Sequence, residues 1–226
     1  VLKDLKGLDS LKSIGGHMSI FYNWSLSSLE GLNALTSING ELNMFSNHSL
    51  TSLTALNALT SIAGKLNISY NDTLMSLAGI DNIDYKTITD LSITNSGRLT
   101  HCHVPSVCNY LADPNSPAKI ALNYPSCYSR VQVEMACAGF PVVSSDDEIA
   151  ELAVNVFPNP TTGIVDIAFD DNIKGVMRVK DHFGRLLMTQ NLAGSSQIDI
   201  RNLPNGIYFI EIRTDNQAFW KRIIKQ

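Results

Sequence analysis

Residues 11–23, 35–47 and 59–71 read LKSIGGHMSIFYN, LTSINGELNMFSN and LTSIAGKLNISYN, three copies of one pattern set 24 residues apart. Working outward, the apolar positions before each copy advance in steps of three: Leu2, Leu5, Leu8, Leu11 and Ile14, then Leu26, Leu29, Leu32, Leu35 and Ile38, then Leu50, Leu53, Leu56, Leu59 and Ile62. Each run ends in a step of two: Met18 and Ile20, Leu42 and Met44, Leu66 and Ile68. A step of two puts both side chains on one face of a strand. A step of three suits neither a strand nor an α-helix, but it does suit a chain that bends round a coil and turns every third residue inward.

A fixed period of this length is the mark of a solenoid, whose coils bury their apolar faces only by stacking on one another. Residues 1–97 are therefore expected to form solenoid repeats with one short strand per coil, aligned into a parallel sheet. Gly16, Gly40 and Gly64 are expected to permit the sharp turn into that strand. Asn23, Asn47 and Asn71 are expected to stack as an internal ladder that satisfies turn backbone groups. A fourth unit is degraded: Leu74, Leu77, Ile80 and Ile83 keep the step, Leu91 and Ile93 arrive one residue late, and Asn95 comes too early. Residues 98–139 read as a cap.

The cap holds all four cysteines, Cys102, Cys108, Cys127 and Cys137. Three pairings are open, and close spacing favours Cys102–Cys108 with Cys127–Cys137. A metal site at His101-Cys102-His103 is the rival, disfavoured because adjacent side chains of an extended segment point to opposite faces. Disulfides in an oxidising compartment are the favoured reading.

Residues 140–151 (FPVVSSDDEIAE) break both patterns and have the composition of a linker. In 152–226, short apolar alternations lie between turn signals. They begin at Leu152-Val154-Val156 and continue at Ile164–Phe169, Val176–Lys180, Arg185–Thr189, Ile198/Ile200, Ile207–Ile212 and Phe219–Ile224. Seven short strands in this arrangement predict an immunoglobulin-like β-sandwich, so the whole chain is expected to be all-β.

The net charge of −4 splits into −6 for residues 1–151 and +2 for 152–226, and neither half is a nucleic-acid footprint. No apolar run approaches the ~20 residues of a membrane helix. Val1 opens inside a leucine pattern, so the true N-terminus is expected upstream. No His-Glu-x-x-His, Gly-x-Ser-x-Gly or phosphate-cradling loop is present, so neither catalysis nor a cofactor is expected. Asp146-Asp147-Glu148 and Asp170-Asp171 read as solvated turns rather than calcium ligands. The Asn-x-Ser/Thr sequons at Asn23, Asn47, Asn67 and Asn71 follow from the repeat.

Two resemblances emerge. Ile-x-Gly-x-Leu-x-Ile-x-x-Asn (Ile62 to Asn71) resembles the receptor L-domain repeat, a leucine-rich right-handed parallel β-helix, and Cys102–Leu111 resembles the cysteine tail that follows such repeats in Bacteroidota surface proteins. That likeness implies a scaffold or adhesion surface. In 152–226 the order Phe157-Pro-Asn-Pro-Thr-Thr-Gly163, Asp181-x-x-Gly184-Arg185, Leu203-Pro-Asn-Gly-Ile-Tyr208 and Lys221-Arg-Ile-Ile-Lys225 closely resembles the type A C-terminal sorting domain of the Bacteroidota type IX secretion system.

The second resemblance implies export through the periplasm and outer membrane to the cell surface or medium. The implied partners are an outer-membrane β-barrel shuttle, a translocon and a sortase, with surface lipopolysaccharide as the anchor. Shuttle recognition is expected at the Gly184-Arg185 turn together with Lys221, Arg222 and Lys225 of the terminal strand, to which partners can add. Sortase cleavage is expected in the linker around Val143, Ser144, Ser145 and Asp146. Asp9-Ser10-Leu11 and Asp72-Thr73-Leu74 resemble the short Bacteroidota O-glycosylation motif, making Ser10 and Thr73 candidate acceptors. Phe21, Tyr22, Trp24, Phe45 and Tyr70 recur just after the strand. They are read either as a glycan- or protein-binding stripe or as edge packing. A third reading makes the segment the non-catalytic tail of an enzyme.

Overall fold

The computed structural model describes residues 1–140, 154–168, 174–214 and 218–226, which divide into two compact units. The first unit comprises residues 1–111 and 115–136, and the second 112–114 and 137–226.

In the first unit each 24-residue repeat lays down two parallel strands. Strands β1 (Ser13–Ile14), β3 (Ser37–Ile38) and β5 (Ser61–Ile62) form a small sheet. A larger sheet has β2 (Met18–Phe21), β4 (Leu42–Phe45), β6 (Gly64–Ser69), β7 (Ile88–Thr94) and β8 (Ala118–Ala121) in sequence order. Met18 lies beside Leu42 and Leu42 beside Leu66, so the sequence period is the sheet register. A register shift between Gly64 and Lys65 then sets Leu66 beside Leu91, which is the one-residue lag seen in the sequence.

The step of three has a backbone cause. The N–H of Leu32 donates to the carbonyl of Leu29 and that of Leu35 to Leu32, and the same holds for Leu56 to Leu53 and Leu59 to Leu56. Each apolar residue thus closes a turn begun three residues earlier. Leu26, Leu29, Leu32, Leu35, Leu50, Leu53, Leu56 and Leu59 are buried to 1 % exposure or less. Complete burial of such side chains contributes about 1.5–3 kcal/mol each, and this row is the main hydrophobic term of the unit.

The asparagine ladder is longer than the sequence reading proposed. The Asn23 N–H donates to the Asn47 side-chain oxygen at 3.2 Å, Asn47 N–H to Asn71 at 3.1 Å, Asn71 N–H to the Ser96 hydroxyl at 3.2 Å, and Ser96 N–H to Asn123 at 3.0 Å. Asn47 and Asn71 are fully buried. Ser96, not Asn95, is the fourth rung, because the β6–β7 shift moves the frame by one.

Gly16 and Gly40 lie in the bends that lead into β2 and β4, but neither they nor Gly64 need a left-handed backbone there. None is among the positive-φ glycines. A Cβ on Gly40 would lie 2.8 Å from the Gly16 carbonyl carbon, so what this column supplies is the close approach of neighbouring repeats. The positive-φ glycines of this unit are Gly7, Gly31 and Gly79, with φ of 104°, 109° and 120°.

The segment 98–139 holds more than a lid. It contains β8, helices α1 (Pro105–Leu111) and α2 (Arg130–Cys137), and the last ladder rung. The close-spaced cysteine pairing is corrected: Cys102 bonds Cys127, with Cα atoms 5.8 Å apart, and no cysteine is free. Their separation of 25 residues equals the Leu66-to-Leu91 spacing of the parallel strands β6 and β7, so the repeat register accounts for the pairing. Cys108 lies on α1, outside that register. With Cys102 in the disulfide, the His101 and His103 rings stack on each other at 4.1 Å.

Among the described residues the second unit has seven strands in two open antiparallel sheets. One is ordered β13 (Ser196–Asp199), β10 (Ile164–Ala168), β9 (Asn155–Phe157). The other is ordered β12 (Leu186–Ala193), β11 (Lys174–Asp181), β14 (Gly206–Arg213), β15 (Ala218–Lys225). Val165, Ile167 and Ile198 from the first sheet share one core with Met177, Val179, Tyr208, Ile210, Ile212 and Ile223 from the second. Phe140, expected to open the linker, is buried in this unit. The rest of that linker, with Val143, Ser144, Ser145 and Asp146, lies outside the described residues, as do Asp170 and Asp171.

Candidate functional site

The motifs that single out the second half of the chain converge at one end of its two sheets. Asp181 ends β11 and pairs with Tyr208 near the start of β14, while Gly206 pairs with Lys225 at the end of β15. Thr161 bridges Lys225 from the other side.

Asp181 explains the Asp-x-x-Gly-Arg spacing. Its buried carboxylate accepts from the backbone N–H groups of Phe183 (3.0 Å) and Arg185 (2.9 Å) and from the Arg185 guanidinium (3.0 Å). Gly184 adopts φ 78°, and its N–H donates to the Asp181 carbonyl at 2.9 Å. With the Asp181 N–H donating to the Arg185 carbonyl at 3.1 Å, the turn is built by five hydrogen bonds to one residue. Arg185 pairs with Asp181, yet 78 % of its side chain remains exposed. Phe183 and Leu186 beside it are exposed as well.

The Pro-Asn-Pro-Thr-Thr-Gly motif splints the terminal strand. β15 is an edge strand. The Asn159 amide donates to the Arg222 carbonyl at 2.7 Å and accepts from the Ile224 N–H at 2.9 Å. Thr161 N–H donates to the Ile224 carbonyl, and Gln226 N–H donates back to the Thr161 carbonyl. The outward backbone groups of the final residues are thus occupied, which blunts the edge against unintended pairing. An added strand would meet β15 ahead of Arg222, from Ala218 to Lys221.

The three basic residues of that strand do not form one cluster. Lys225 is buried, and its ammonium donates to Asn205 at 3.2 Å, so it ties β15 to the Leu-Pro-Asn-Gly turn. That turn is also held by the Tyr208 hydroxyl, which donates to the Pro204 carbonyl at 2.6 Å. By strand alternation Lys221 shares the face of Lys225, whereas Arg222 faces the opposite way. The sequence missed the roles of Asp181, Asn159 and Asn205. The signal was present in the motif spacing, since short polar residues beside glycine and proline are turn builders.

Glu211 on β14 was not singled out either. Its carboxylate is 1 % exposed and is reached by Arg213 at 2.5 Å, Lys180 at 3.2 Å and Arg178 at 3.7 Å. Burial alone would raise its pKa, but hydrogen bonds from Arg213 and Lys180 outweigh it and hold the group below the ordinary value of 4.5.

In the first unit, Ser10 is an exposed turn residue. Thr73 is half-buried, with its hydroxyl donating to the carbonyls of His48 and Leu50. The aromatic stripe is continuous: Phe21 meets Tyr22, Tyr22 meets Phe45 and Phe45 meets Tyr70, with centroids 5.9, 5.6 and 5.0 Å apart. Tyr22 and Tyr70 occupy the left-handed position that follows each strand, with φ of 57° and 58°. Trp24 is exposed and meets the His48 ring edge-on.

Residues 155–226 match the family described as the secretion system C-terminal sorting domain. No curated protein matches the chain. The sorting domain indicates a type IX secretion signal on a cargo protein and interaction with that system's machinery. It implies export to the cell surface or secretion by a Bacteroidota-type system.

Proposed function

We propose that this chain is the C-terminal part of a surface or secreted cargo whose second unit is read as a folded export address, while the first unit serves as a non-catalytic scaffold or adhesion surface. The observation that carries the reading is the family match over 155–226, together with the convergence of its motif residues at one end of the two sheets. We read the first unit as a leucine-rich solenoid of receptor L-domain type and the second as an immunoglobulin-like sandwich. An outer-membrane β-barrel shuttle reads the exposed turn at Gly184-Arg185 and the open part of β15, with Lys221 and Arg222. A sortase cuts in the linker around Val143, Ser144, Ser145 and Asp146, and the product is released or joined to surface lipopolysaccharide.

The test is a fluorescent reporter with a signal peptide fused to residues 137–226. Expressed in a Bacteroidota host, it is expected outside the cell and to stay periplasmic in a type IX-deficient strain. Periplasmic retention in both strains defeats the reading.

A second reading concerns the first unit and rests on the aromatic run in which exposed Phe21, Tyr22 and Tyr70 meet around half-buried Phe45, with exposed Trp24 nearby. Such a stripe offers stacking faces to a glycan or an anchor surface to a protein. Alanine at Tyr22, Trp24 and Tyr70 is expected to abolish retention on polysaccharide columns if a glycan is the ligand. Unchanged retention assigns the aromatics to edge packing.

A further inference from the structure

The second unit includes residues on both sides of 141–153, and those ahead of it are seated in a built cradle. Phe140 is 5 % exposed. Its ring meets Phe209 at 5.3 Å and Trp220 at 6.0 Å, and the Lys180 ammonium sits 4.6 Å from its centroid. Phe209 on β14 and Trp220 on β15 have the strand parity of Glu211, so they belong to the sheet face turned away from the core. The cradle thus has two aromatic walls and a cation, and the cation is fixed in turn by Glu211 at 3.2 Å. This combination suits an aromatic side chain, which gains edge contacts and a cation–π interaction at once.

A second observation, at a different residue, concerns the backbone of the same segment. A Cβ on Gly184 would collide with the Ala138 carbonyl. The glycine of the Asp-x-x-Gly-Arg turn therefore meets two demands, a left-handed turn and the close passage of residue 138.

We propose that Ala138–Phe140 is a docking peptide, held by the outer face of the four-stranded sheet without need of the covalent link through 141–153. A cut in that segment then leaves two pieces still joined through Phe140, and their separation is a distinct later step. The inference rests on the geometry of the second unit and not on the export reading.

The experiment uses the full purified chain with a site-specific protease sequence inserted between Ser145 and Asp146. All four cysteines lie on the N-terminal piece, so no disulfide spans the cut. After cleavage at roughly micromolar concentration the wild-type pieces are expected to co-elute on size exclusion, and Phe140→Ala is expected to weaken their association by about tenfold or more. Separation of the cut wild type overturns the proposal, as does co-elution of the cut variant at unchanged affinity. Trp220 gives a readout that needs no cleavage: in a Trp24→Phe background it is the only tryptophan left. Its emission is expected to shift to the red when Phe140→Ala opens the cradle. An unshifted maximum in that variant overturns the proposal as well.

Discussion

Asn71 shows what a single rung contributes. Its side-chain oxygen accepts from Asn47 N–H, and its amide donates to the Met44 carbonyl at 3.1 Å and the Ser69 carbonyl at 3.2 Å. Asn71→Ala removes all three hydrogen bonds; the Ser69 carbonyl keeps the Ser46 N–H, and a buried group left without a partner costs about 1–3 kcal/mol. Urea unfolding of the variant is expected to show a loss of about 2–4 kcal/mol. The glycine column gives a sharper contrast. Gly40→Ala forces neighbouring repeats apart and is expected to destabilise clearly, whereas Gly16→Ala meets nothing within 4 Å and is expected to be near neutral. Equal effects would remove close approach as the reason for the column. Glu211 makes the residue-scale prediction for pH. Its folded pKa lies below the unfolded one, so its stabilisation is present above pH 4.5 and fades as pH falls through the folded value. The stability gap between wild type and Glu211→Gln is accordingly expected at pH 7 and to shrink on acidification below 4.5.

At the scale of elements, the Cys102–Cys127 disulfide closes a 25-residue step at the end of the first unit. Cys102→Ser with Cys127→Ser is expected to lower stability by about 2–4 kcal/mol. Hydrogen exchange should quicken first in β8 and α2. Uniform quickening across β2 and β4 would contradict a local role. Asn159→Ala strips the splint from Arg222 and Ile224, and faster exchange is expected at the end of β15 alone. Much of this architecture was legible in advance, because a hydrophobic period fixes which residues face inward. The register of β2, β4 and β6 and the seven strands of the second unit both follow from it. The cysteine pairing is just as legible, since Cys102 and Cys127 are 25 residues apart, the same spacing as Leu66 and Leu91, whereas proximity along the chain points to the wrong partners. Asn123 and Lys225 were harder. Asn123 follows an insertion that shifts the frame to 27 residues, and Lys225 looks like any basic end until Asn205 is seen to receive it. A pattern of residue types carries no information on which partner a turn supplies.

At the scale of the molecule, the repeats with their parallel sheets and the two antiparallel sheets around one shared core are two compact units. The family match begins at residue 155, yet the second unit reaches back to residue 137. A sorting segment trimmed to 155–226 therefore lacks Phe140 and exposes Phe209 and Trp220, and it is expected to be less soluble and less stable than 137–226. The central claim is that this unit is the export address of the chain, and the most direct measurement is loss of export. With a signal peptide supplied, the full chain and a version ending at residue 153 are expressed in a Bacteroidota host and followed by immunoblot of surface, medium and periplasmic fractions. The account predicts the full chain outside the cell and the shortened chain trapped in the periplasm. Equal export of both would contradict it.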